Sequence, residues 1–140
     1  MHHYLVVAHK TLDSPQLLSV IQDRMARGAS TFHLLVPEDH HGGFLWDEGQ
    51  VRVEADKAME AARLRLLGLG VPVVGEVGHT NPVHAVDHVL RREPDDYFDE
   101  IIVSTLPTKI SRWVGMDAPA RIERRTSVPV THVAELPVHS

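Results

Sequence analysis

The chain has 140 residues, 24% of them charged, a formal net charge of −5, 11 histidines and no cysteine. That length suits a single domain spanning 1–140, and the missing thiols exclude disulfides, thiolate metal sites and a cysteine nucleophile. The acidic balance and an aromatic content of only 5% argue against nucleic acid or an anionic membrane as partner; no membrane-length apolar run and no leader-like opening are seen, so a soluble cytoplasmic protein is expected.

Tyr4 to Ala8 is an apolar run of the kind found in strands buried on both faces. Ser14-Pro15 supplies a helix cap and a first-turn proline, Leu17, Leu18, Ile21 and Met25 follow at helical spacing, and Gly28 is a stop. Thr31 to Val36 predicts a second strand closed by Pro37. Glu38 to Gln50 reads as a long polar loop, with Phe44, Leu45 and Trp46 as a lid, a partner patch or a staple on the next helix. Val51 to Leu67 predicts a helix with Ala55, Met59, Ala62 and Leu66 on its apolar face. Val71 to Glu76 is the third strand. Asn81-Pro82 repeats the cap-plus-proline device before a short helix that buries Val83, Val86, Val89 and Leu90. Asp99 to Val103 is the fourth strand, Asp117 to Arg125 a helix capped by Asp117, and Val128 to Val133 the fifth strand.

Strand and helix alternate four times before a closing strand. Such alternation calls for an α/β fold, a five-stranded parallel sheet with helices on both faces and right-handed crossovers. The order 3-2-1-4-5 fits, with chain reversal between strands 1 and 4, and ligands bind such sheets at that reversal, outside the carboxyl ends of the strands.

Asp99-Glu100-Ile101-Ile102-Val103-Ser104-Thr105-Leu106-Pro107, then Ser111-Arg112-Trp113 and Pro129-Val130-Thr131-His132-Val133, resemble the closing unit of the universal stress protein family. More narrowly, the chain is similar to an actinobacterial branch of stress-protein-like domains. The resemblance implies a small nucleotide-binding α/β fold, with a homodimer formed through the C-terminal edge strand, and a binding or regulatory role in place of catalysis. ATP-binding members carry a glycine after strand 4, another three residues on, and later a Gly followed by Ser or Thr, so that backbone N–H groups reach the phosphates. Here Ser104 and Pro107 stand at the first two positions and Met116 or Asp117 at the third, with Gly115 out of register. Proline has no N–H to offer, and an Asp117 cap would set a carboxylate against the phosphate. The family's acidic residue after strand 1 aligns with His9. ATP held in the usual way is therefore not expected, and no cofactor is assigned.

The same loop offers side chains instead. Ser104, Thr105, Thr108, Lys109, Ser111 and Arg112 are candidates to hold a small anionic or phosphorylated ligand, with Lys109 and Arg112 supplying charge. His9, Lys10, Thr11 and Asp13 after strand 1, and His79 after strand 3, complete the candidate set. His9, His40, His41 and His79 all follow predicted strands, which raises a histidine-based metal site or enzyme as a further alternative, although no spacing among them is a metal motif. His84 and His88 sit four apart on a helix, on the side away from its apolar stripe. His33 and His132 fall inside strands and are expected to be packed, with one hydrogen bond each. Ser14 and Ser104 lie in no G-x-S-x-G turn, so no catalytic residue is assigned.

Overall fold

The computed structural model describes residues 1–39, 48–107 and 111–136. In chain order the elements are β1 His2–Val7, α1 Pro15–Ala26, β2 Ser30–Pro37, α2 Glu48–Gly68, β3 Val73–Gly78, α3 Pro82–Arg92, β4 Glu100–Thr105, α4 Arg112–Gly115, α5 Ala118–Arg124 and β5 Val130–Ala134. The five strands are parallel and ordered β3-β2-β1-β4-β5, as the alternation of elements predicts.

Alternate residues of the central strands feed two apolar layers. Tyr4, Val6, Phe32, Leu34 and Ile102 face α1 and α2, meeting Leu17, Ile21, Ala55, Ala62 and Leu66. Leu5, Val7, Leu35, Ile101 and Val103 face the other way, against Val83, Val86 and Val89 of α3 and Ala118 and Ile122 of α5. Strands buried on both faces explain the unbroken apolar runs in the sequence. Two helix starts follow the expected chemistry: the Ser14 hydroxyl accepts from Leu17 N and the Asn81 side chain from Val83 N, each with proline in the first turn.

Several boundaries move, each for a local reason. β1 starts at His2, because His2 N already donates to Ala29 O at 2.9 Å. Val71 belongs to the turn closing α2, its N–H bonding Leu66 O at 3.0 Å, so β3 begins two residues later. Val128 N bonds Thr126 Oγ1 at 3.1 Å in a turn, and β5 begins at Val130. α2 starts at Glu48, inside the segment expected as loop; residues 40–47 of that loop, with His40, His41, Phe44, Leu45 and Trp46, lie outside the described residues.

Asp117 stands at the start of α5 as expected, but its side chain does not cap the helix. Asp117 adopts a left-handed conformation with φ 59° and makes no side-chain capping bond. Its carboxylate is exposed and pairs with Arg124 at 3.7 Å. The capping side chain after β4 is Ser111, whose hydroxyl accepts from Val114 N at 3.2 Å to start the short helix α4. The objection to phosphate therefore loses its Asp117 part and keeps its Pro107 part.

Candidate functional site

β1 and β4 are neighbours, and the chain leaves them in opposite directions across the sheet. Loops from both therefore meet at their carboxyl ends. After β1 the chain folds into a tight turn, with Ser14 N donating to Thr11 O at 2.9 Å. That turn buries Thr11, whose hydroxyl meets the Ser104 hydroxyl at the end of β4, 2.6 Å away. A direct bond between the two loops thus forms the floor of the reversal point.

Thr105, the last residue of β4, turns its hydroxyl to His132 Nε2 of β5 at 2.8 Å. His132, expected to be packed, is instead exposed on the edge strand, and only partial desolvation of its ring pushes the imidazole below its ordinary pKa. Pro107, with no N–H, acts as an acceptor, and Ser111 N bonds its carbonyl at 3.0 Å. No glycine stands anywhere from Ser104 to Pro107 or at Ser111 and Arg112. What this end of the sheet presents are side chains.

Charge converges above that floor. Asp39, two residues past β2, sits with its side chain only 13% exposed between two cations. Lys10 Nζ lies 3.3 Å from one carboxylate oxygen, and Arg112 Nη2 donates to the other at 3.0 Å. Three loops, following β1, β2 and β4, are joined by this one carboxylate. Lys10 and Arg112 themselves are about half exposed, which leaves the pairing open to exchange with solutes.

Of the residues singled out in the sequence, Lys10, Thr11, Ser104 and Arg112 belong to this cluster. Thr105 faces β5, Ser111 caps α4, and Asp13 is exposed on the β1 turn. His9 is half-buried beside Lys10. Thr108 and Lys109 lie outside the described residues. His79 lines a separate groove along α3, its ring 5.3 Å from that of His84. Among the described residues no three His, Asp or Glu side chains are placed to hold a metal ion. His33 bonds Glu76 at 2.8 Å and packs edge-on against Phe98.

Sequence reasoning missed Asp39. One signal for it was present: Glu38-Asp39 directly follows a strand adjacent to strand 1, so these side chains lie at the carboxyl end of the sheet by topology alone.

No protein-family model and no curated protein matches the sequence. Solved structures do. A universal stress protein from Archaeoglobus fulgidus superposes with a TM-score of 0.63 at 12% identity, over 95% of this chain and 93% of its own. A universal stress protein in complex with cAMP gives 0.60 at 13%, over 96% and 98%. A family protein from Arabidopsis thaliana with AMP bound gives 0.60 at 10%, over 97% and 93%. With near-complete coverage of both partners and the same sheet order, this chain has the fold of the universal stress proteins.

Proposed function

We propose that this chain is a non-catalytic binding and regulatory module that takes a small anionic ligand at the carboxyl ends of β1, β2 and β4. The ligand class is a nucleoside monophosphate, held by side chains and not by a glycine loop. The observation that carries this reading is the meeting of Lys10 and Arg112 on the Asp39 carboxylate, since two cations from different loops already hold an anionic group there. Neighbours carrying AMP and cAMP support a nucleotide with a single phosphate. Pro107 and the missing glycines argue against a triphosphate cradled by backbone N–H groups. Thr108 and Lys109 belong to the same proposal as further contacts.

Asp39 is then a built-in competitor for the two cations. Calorimetry with AMP, cAMP and ATP tests the reading. AMP binding is expected, weakened about tenfold by Lys10→Ala and by Arg112→Ala, the loss of one charge-assisted contact each. Asp39→Asn is expected to tighten it. ATP binding tighter than AMP, and indifferent to Lys10→Ala and Arg112→Ala, would overturn the proposal.

A further inference from the structure

A second concavity, of about 830 Å³, runs along α3 at the carboxyl end of β3. Its floor is apolar, made by Leu35, Val77, Ala85 and Val89, and its rim carries His79, His84, His88 and Arg91. That size and mixture suit a small organic ligand with a charged end.

The fixed charges of the groove cancel in pairs. Glu38 is met by Arg52 at 3.5 Å, and Asp87 by Arg125 at 2.8 Å. Glu76 is met by Arg92 and by His33. Arg91 is left over: it has no acidic partner among the described residues, although Glu93 and Asp95 line the adjoining hollow with it. His79 is held as a donor, because Asn81 N bonds its Nδ1 at 2.9 Å and leaves the proton of the neutral ring on Nε2. His84 and His88, exposed and one helical turn apart, have no hydrogen-bonding or acidic partner among the described residues. Histidine is the side chain that gains its charge between about pH 5 and 8. The charged lining of the groove therefore balances, three carboxylates against three arginines, when these two rings are neutral, and gains about two positive charges when both are protonated.

We propose that this groove is an anion site that strengthens as His84 and His88 protonate, and that it takes a phosphate or sulfate ester whose apolar body lies on the Leu35–Val89 floor. Arg91 supplies the constant charge, His79 Nε2–H a fixed donor, and the two α3 histidines the variable charge. The site is independent of the Lys10–Asp39–Arg112 cluster and does not need it to be correct.

Binding and protonation are reciprocal, so an anion that prefers the protonated groove must raise the titration midpoints of the rings that recognise it. The experiment is an NMR titration of the histidine ring resonances between about pH 5.5 and 8, with and without inorganic sulfate, whose charge is constant in that range. Upward shifts of the His84 and His88 midpoints are expected, with sulfate bound about tenfold more tightly at the acid end. Arg91→Ala should weaken binding at both ends. The double variant His84→Gln/His88→Gln should remove the pH dependence, and Lys10→Ala should leave it. Midpoints unmoved by sulfate, or a pH dependence that survives in the double variant, would overturn the site.

Discussion

Gly78 closes β3 where α3 passes over it. A Cβ at this position would lie 2.9 Å from Ala85 Cβ and 2.9 Å from Leu35 Cδ1. The Ala85 methyl is fixed to the helix backbone and has no rotamer to escape into, so a side chain at 78 must lift α3. Gly78→Ala is therefore expected to cost about 1–3 kcal/mol, read as a lower denaturant midpoint. A midpoint equal to that of the parent would show that α3 has slack against the sheet. Gly75 makes the contrast, because a Cβ there meets first the Met59 sulfur, the mobile end of a flexible side chain. Neither role is readable from the sequence: a glycine required by close approach looks the same as one required by a turn until the helix above it is placed. Asp39 is the parallel case at the candidate site. Lys10 and Arg112 stand out as cations beside predicted strand ends, but the carboxylate they share becomes important only when three loops meet.

Between elements, a largely buried polar tie joins α1 to β4. Arg24 donates to both oxygens of Glu100, Nε at 2.6 Å and Nη2 at 2.9 Å, with the two side chains 11% and 13% exposed. The Thr131 hydroxyl of β5 donates to the same carboxylate. Burial alone would raise the Glu100 pKa, yet the hydrogen bonds from Arg24 and Thr131 outweigh it and hold the carboxyl below its usual 4.5. A carboxyl depressed on folding stabilises the protein above the unfolded-state value and loses that contribution as pH falls through the folded-state value. Glu100→Gln should thus cost about 2 kcal/mol near neutral pH, since it leaves Arg24 partly buried without its main partner. The same variant should flatten the decline of stability below about pH 4.5. A parent-like acid limb would show that other carboxylates govern acid unfolding. This tie spans 76 residues of sequence and has no local signature, whereas helix caps, stops and strand runs do. That difference explains why the sheet order and its elements can be read ahead of the structure, with Asp117 at the start of α5 as expected, while the short helix α4 and the Ser111 hydroxyl that caps it are missed. Both stand at helix starts and both are capping residue types, but only the extended backbone at Ser111, not the left-handed one at Asp117, goes with a side-chain cap.

For the whole molecule, the two sheet edges are unequal. β3 carries Glu76, tied to Arg92 and His33, a charged device of the kind that discourages strand pairing. β5 has no charged side chain from Val130 to Ala134. Ile101 N bonds Pro129 O at 2.9 Å and Glu135 N bonds Thr105 O at 2.8 Å, so the odd-numbered residues serve the β4 ladder. The N–H and C=O groups of Val130, His132 and Ala134 consequently point away from the sheet. A second copy pairing along this edge would satisfy them on both chains at once under two-fold symmetry, which makes β5 the proposed homodimer interface. Ala134→Pro removes one outward donor, and its small side chain bears little of the core. Sedimentation equilibrium should give a dimer for the parent and a shift toward monomer for Ala134→Pro, with the circular dichroism of the folded chain unchanged. A parent that sediments as a monomer would refute the interface, and a proline variant that stays fully dimeric would move it to another surface.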